Sequence, residues 1–377
     1  MKLEVQKFIE SHSDWEKLLA EKPYCITVSR DEFNGKKLIM LKYSQIDSDF
    51  NIELVRECRG LILDESTFDI VSFPFTKFGN FGESYCPDID WTTARCGEKI
   101  DGSLVKIVKI EGMLLISTNG TIDAFKAPVA EQIGCPFKSF GDIVLYCFRY
   151  ASPEGVCYMD FEEGFTYMFE LCSPWTRVVV PHTENKLYFL GKRDNTTFEE
   201  TYFTDDSVMP RLFDTPRVFP LKSIDECLAA TKELPWDEEG YVVCDGNFNR
   251  IKVKSPAYVA AHNLKGNGVL SYARALELVR VNEIDEICSY FEEFRSELEE
   301  CKSKFWKLVE DCEACWNDYL KVDSSLSTRK DKAIWITQHA KIPGLFFGLL
   351  DKKVPSVRDF FMTMPIEKLL KYLGYKE

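Results

Sequence analysis

After Pro256 the apolar period of the chain turns wholly helical, and that change limits what it can fold into. Upstream of Pro256, apolar side chains come in short runs broken by turn residues, whereas from residue 271 onward they step by threes and fours. Period two sends alternate side chains to opposite faces of a strand, and steps of three and four line one face of a helix. The early runs cover 24–28, 37–43, 60–63, 70–73, 104–110, 113–117, 165–171, 178–180, 187–190, 240–244 and 250–254. Glu111-Gly112 separates two of them as a hairpin turn. Short strands joined by turns predict an antiparallel sheet rather than a doubly wound fold. Helical spacing is expected over 3–20, as two short helices broken near Ser11-His12-Ser13, and again over 127–133 and 221–233. Downstream, apolar positions from Ile284 through Phe291, Leu298 and Leu308 to Tyr319 predict a long amphipathic helix or a helical hairpin, followed by helices over 357–362 and 366–373. The fold class read from this pattern is α+β, an antiparallel-sheet domain over 1–260 followed by an all-helical domain over 261–377.

A chain of 377 residues with 45% hydrophobic and 14% aromatic content can bury large cores. It has no uncharged apolar run of about 18 residues, so no membrane partner and a cytoplasmic location are expected. The 14 cysteines are scattered, and the lone C-x-x-C, Cys312 to Cys315, falls on the helical seam without a second pair at zinc spacing. Free thiols are the expectation. The net charge of −14 argues against coating nucleic acid through a general field but leaves room for a local basic groove.

Within this frame, Lys99-Ile100-Asp101-Gly102-Ser103 offers a candidate nucleophile, although an isolated K-x-D-G reads as a surface lysine before a turn. Attack on a phosphate needs cations for its oxygens, carboxylates for a metal or hydroxyls, and an aromatic surface for a base. Arg59 stands beside Gly60, and Lys77 lies in a loop rich in phenylalanine and glycine over 75–83. Glu170 is the sole charge in an apolar run, a costly place unless it meets a metal, a cation or a ligand hydroxyl. Glu239 opens another apolar strand, and Lys252 and Lys254 alternate, so both face one side of theirs.

The ordered series is more specific than any member. K-x-D-G-S at 99–103, Phe169-Glu170, Glu239-Gly240-Tyr241-Val242, Lys252-Val253-Lys254-Ser255, Tyr258-Val259 and His262, with Glu57-Cys58-Arg59-Gly60 and Lys77-Phe78 upstream, resembles the covalent nucleotidyltransferases. Within that superfamily the chain is most similar to the ATP-dependent RNA ligases of the T-even phage tRNA-repair type, over nearly its whole length. The resemblance implies a nucleotidyltransferase (adenylation) domain and a helical domain that selects tRNA or other RNA. It also implies a reaction in which Lys99 takes AMP from ATP, passes it to an RNA 5′-phosphate, and loses it when a 3′-hydroxyl seals the strand. Carried over residue by residue, it makes Lys99 catalytic, Tyr43, Arg59, Lys77, Glu170, Lys252 and Lys254 nucleotide-binding, and Glu239 and Asp285 metal-binding. The implied cofactors are ATP and Mg²⁺ or Mn²⁺. The implied partner is RNA with 5′-phosphate and 3′-hydroxyl ends, such as nicked tRNA, met by a monomer in the cytoplasm, the host's if the protein is viral. Asn119 departs from the pattern, because a basic residue is expected before Gly120. Ser103 and the helical tail replace the arginine and the β-rich oligonucleotide-binding fold expected of DNA ligases and capping guanylyltransferases. A non-catalytic RNA-binding module on the same fold is the alternative from another class.

Overall fold

The computed structural model describes residues 2–151, 160–263, 271–290 and 292–375, so Phe291 and the side chain of His262 lie outside the described residues. The chain divides into two compact units, Met1–His262 and Asn263–Glu377.

Three antiparallel sheets build the first unit. Strands β1 (Ile26–Phe33), β2 (Lys36–Tyr43), β3 (Arg59–Asp64) and β4 (Ile70–Ser72) form the first sheet in chain order. Asn34 and Gly35 turn the β1–β2 hairpin with φ of 51° and 76°, the conformation that an Asn-Gly pair adopts readily. This sheet is covered on both faces, which explains its continuous apolar runs. Ile39, Leu41, Leu61 and Leu63 pack on one side with Val5, Ile9 and Leu19 of two N-terminal helices, Glu4–Ser11 and Trp15–Ala20. Leu38, Met40 and Ile62 point the other way and meet Val108 and Leu115 of the second sheet.

The remaining strands are β5 (Arg95–Glu98), β6 (Ser103–Ile110), β7 (Met113–Thr118), β8 (Phe165–Cys172), β9 (Lys186–Asp194), β10 (Glu200–Tyr202), β11 (Val218–Phe219), β12 (Gly240–Cys244) and β13 (Arg250–Lys254). The second sheet has the order β10-β9-β8-β6-β7 and the third β11-β5-β12-β13. Val105 and Ile107 of β6 join Tyr167 and Phe169 of β8 in a core closed by Ile143 and Val144 of helix Phe140–Ala151. Residues 99–102 thus do more than open a hairpin, because they carry the chain from the third sheet into the second.

Two local expectations are corrected. No helix spans 127–133. A single turn at Ala124–Lys126 stops before Pro128, which has no N–H to donate and disfavours helix at the preceding residue. The helix of this region starts instead at Phe140. Residues 178–180 form no strand, because the N–H groups of Val179 and Val180 are spent on Asp101, as described below.

In the second unit the described residues form helices and no strand. Asn282, at φ 56°, ends helix Tyr272–Val281. Helix Ile284–Tyr290 and a turn at Glu292–Phe294 then lead into the 28-residue helix Arg295–Val322, so the expected seam is broken near its start. That long helix buries Leu298, Cys301, Phe305, Leu308, Cys312 and Tyr319 along one face. Shorter helices, Arg329–His339, Pro343–Leu350, Val357–Thr363 and Ile366–Leu373, complete the unit. The architecture is α+β with antiparallel sheets and a helical C-terminal unit, as the periodicity predicts.

Candidate active site

Backbone pairing sets the position of Lys99. In β5 and β12, Glu98 pairs with Tyr241, and the ladder runs one step further, with the Lys99 N–H donating to Gly240 O at 2.8 Å. The side chain that precedes Gly240 therefore lies beside that of Lys99. Lys99 Nζ stands 2.7 Å from Glu239 Oε2. β13 pairs with the other edge of β12, Gly240 opposite Lys254 and Val242 opposite Lys252, and brings Lys254 Nζ to 3.5 Å from Glu239 Oε1. Glu239 is buried at 5% exposure, so its charge is balanced by two amines. Gly240 is required by this crossing, because at its φ of 132° a Cβ would stand 2.2 Å from Val253 O.

The second sheet supplies the facing wall. Leu104 pairs with Glu170 across β6 and β8, which places the Glu170 carboxyl near Lys99. Burial pushes that carboxyl up to about 7; Glu239 adds to the rise, and Lys99 and Arg59 oppose it. A Cβ on Gly102 would come within 2.6 Å of Leu171 O, so the motif glycine lets the two strands close on each other. The first sheet contributes Arg59 at the start of β3. Its guanidinium lies 5.1 Å from the Phe78 ring centre, and its Nη1 is buried without a hydrogen-bond partner.

These groups surround a cavity of about 300 Å³ lined by Lys99, Arg59, Glu170, Glu239, Lys252 and Lys254, with Phe75 and Phe78 as aromatic walls. Six of the nine residues singled out from the sequence thus converge. Neither Tyr43 nor Lys77 lines that cavity. Burial raises the Tyr43 phenol while Arg59 pulls it down, and Lys77 Nζ lies 4.8 Å from the Phe50 ring centre and 5.5 Å from that of Tyr43. Lys77 lines a neighbouring cavity of about 240 Å³ with Arg56 and Arg250. Asp285 belongs to the second unit, where it is exposed and lies 3.6 Å from Lys302.

Sequence reasoning passed over Arg250, which lines the cavity around Lys99 and is held by Glu200 at 2.5 Å; it continues the Lys252 and Lys254 alternation one step upstream, a signal that was available. Asn119, which the sequence marks as a departure from the pattern, also lines the cavity, with a buried and unpartnered Oδ1. Asp101 is no turn residue. Its Oδ1 accepts from Tyr258 Oη at 2.9 Å, and its Oδ2 accepts from the N–H groups of Val179 and Val180 at 3.0 and 2.6 Å. Its carbonyl accepts from His182 Nε2 at 2.6 Å. The residue two places after the candidate nucleophile is thereby clamped from two distant parts of the chain.

A lysine in a cationic, partly aromatic cleft, with carboxylates on the strands that flank it, fits a nucleotidyltransferase. The RNA ligase family matches residues 57–258, more than half of the chain, and the chain belongs to that family. A similar protein of Autographa californica nuclear polyhedrosis virus, provisionally named a bifunctional polynucleotide kinase/RNA ligase, is 30% identical over 276 residues, 69% of this chain and 38% of the relative. An RNA ligase of Rhodothermus phage RM378 is 29% identical over 196 residues, 45% of this chain and 44% of the relative. The chain spans no more than about half the length of the curated relatives it matches. Among solved structures, an archaeal ATP-dependent RNA ligase aligns with a TM-score of 0.46 and 13% identity, over 80% of this chain and 74% of its own.

Proposed function

We propose that the protein is an ATP-dependent RNA ligase that joins 5′-phosphate and 3′-hydroxyl RNA ends, acting in the repair of nicked tRNA. The observation that carries this reading is the convergence of Arg59, Lys252 and Lys254 around the Lys99 amine in a cavity that also holds Glu170 and Glu239. Lys99 Nζ attacks the α-phosphorus of ATP, the bond to the β-phosphate oxygen breaks, and pyrophosphate leaves. Glu239, 2.7 Å from that amine, holds it in the cavity, and the neighbouring Arg59, Lys252 and Lys254 favour its neutral form. Arg59 has an unpaired donor for a phosphate oxygen, and Lys252 and Lys254 offset the charge that builds up in the transition state. AMP on Lys99 then passes to the RNA 5′-phosphate, and the 3′-hydroxyl displaces it.

Glu239 and Glu170 are the carboxylates that would hold a divalent ion. Among the described residues no group of three histidine, cysteine, aspartate or glutamate side chains is gathered for a metal. Two carboxylates with phosphate oxygens and water suit the way Mg²⁺ is bound beside nucleotides. A bound ion would add positive charge against the phosphates. We assign the choice of RNA to the helical unit.

The test is incubation with ATP labelled at the α-phosphate and Mg²⁺. The wild-type chain is expected to take up a covalent, acid-labile label, and Lys99→Ala none. Absence of label on the wild type, or equal label on both, overturns the reading.

A further inference from the structure

One buried charge has no part in the reaction as written. Lys106 sits in the middle of β6 with no exposure, among the largest fully buried side chains of the protein. A lysine seldom occupies such a place without a task, because its ammonium loses its water there. Lys106 shares a sheet face with Leu104 and Val108, between the first and second sheets. Its partners across the strands are Ser117 on β7 and Met168 on β8. Its Nζ donates to Gly60 O at 2.5 Å. Gly60 has φ 75°, and the point where its Cβ would stand is 2.9 Å from Lys106 Nζ, 3.0 Å from Asn119 O and 3.1 Å from Asn119 Cα. The amine, the residue after Arg59 and the turn carrying Asn119 are therefore packed against one another. Arg59 and Asn119 both line the cavity around Lys99, and each has a buried polar atom without a hydrogen-bond partner.

We propose that Lys106 is a positioning residue for the phosphates of the nucleotide: from beneath the cavity its amine pins the Gly60 carbonyl against the Asn119 turn and so fixes Arg59 with its unpaired Nη1 ready for a phosphate oxygen. This rests on the nucleotide reading above and extends it to a residue that never touches the ligand. The amine also contributes charge. The charged groups on the strands around it are Arg59 and Asp64 on β3, Glu170 on β8, and Lys36, Lys37 and Lys42 on β2, the Nζ of Lys42 lying 3.3 Å from where a Gly120 Cβ would stand. Burial first, and Arg59 second, lower the Lys106 amine to about 7. An anion arriving at Arg59 favours the protonated amine, so anion binding and proton uptake are linked, and affinity for phosphates falls as pH rises through that value.

The experiment measures binding of α,β-methylene ATP and of adenosine, each with Mg²⁺, to the full chain from about pH 6 to 9. Lys106→Met matches the length of the side chain without its charge. Lys106→Gln keeps a donor for Gly60 and guards against misfolding of the first variant. Both are expected to bind the ATP analogue roughly tenfold more weakly than wild type near pH 6, to bind adenosine as wild type does, and, for Lys106→Gln, to approach the wild-type affinity at the upper end of the range. Wild-type and variant curves that run parallel across the range, or equal weakening of analogue and adenosine, overturn the role of Lys106 while leaving the nucleotide site in place. A wild-type chain that binds neither probe overturns the nucleotide reading, and the proposal with it.

Discussion

Asp101 shows how much of a motif's purpose lies outside its spacing. Its carboxylate is satisfied by one hydroxyl and two backbone N–H groups, contributed by residues 157, 78 and 79 positions away in the sequence. Three donors converge on one buried acid at 5% exposure, so removing the carboxyl leaves two backbone N–H groups and a hydroxyl without their acceptor. Asp101→Ala is therefore expected to cost about 3 kcal/mol of stability, and Tyr258→Phe, which removes one donor alone, about 1 kcal/mol. Denaturant unfolding of the three proteins checks this, and an Asp101→Ala variant as stable as wild type would refute the clamp. The residues that bear on the cavity through strand alternation, Glu170, Glu239, Lys252 and Lys254, were legible, because alternation is local and a charge in an apolar run stands out. Asp101 and Lys106 were not. In the sequence one resembles a turn former and the other a solvent-facing lysine in an alternating strand, and only partners brought in from other strands give them their meaning.

Whole elements depend on single side chains in the same way. Glu57 closes helix Glu53–Glu57 one residue before Cys58 and two before Arg59, yet its carboxylate accepts from the N–H groups of Glu4 and Val5 at 3.1 and 2.9 Å. It thus caps the first helix of the chain and ties it to the strand that carries Arg59. Burial pushes the Glu57 carboxyl up to about 7 against the opposing pull of those two N–H groups. Since the folded value lies above the unfolded one, the folded state holds the proton more tightly. The contribution of Glu57 is then fully present below about pH 4.5 and lost as pH rises through about 7. Melting temperatures of wild type and Glu57→Gln, measured across that window, are expected to differ in slope, with the variant losing less stability as pH rises. Parallel curves would mean that Glu57 ionises in the folded state as freely as in the unfolded chain. The elements that periodicity misjudged fail for a related reason. At 127–133 a proline overrides helical spacing, and at 178–180 three valines that look like a strand give two of their N–H groups to Asp101 instead of to a ladder.

At the scale of the molecule, the hydrophobic clusters described for the first unit draw their residues from Leu3 to Val253. The residues that line the cavity around Lys99 all precede Ser255, and Tyr258, which clamps Asp101, lies in helix Pro256–Asn263. Every group given a role in charging Lys99 with AMP is thus encoded before residue 263, whereas the helical unit begins at Asn263 and has its own seam along Arg295–Val322. If the helical unit chooses the RNA, the two tasks separate on truncation. A chain ending after residue 264 is expected to label itself with AMP at a rate within about threefold of the full chain, since no cavity residue is removed. Its sealing of a nicked tRNA should fall by about tenfold or more relative to its sealing of a linear RNA, because binding energy from parts of the substrate remote from the break would be lost. The discriminating number is the ratio of the two sealing rates. An unchanged ratio, with both rates lowered alike, would move the helical unit from RNA choice to a general part in end joining. Loss of self-labelling would mean that charging of Lys99 requires residues beyond the first unit.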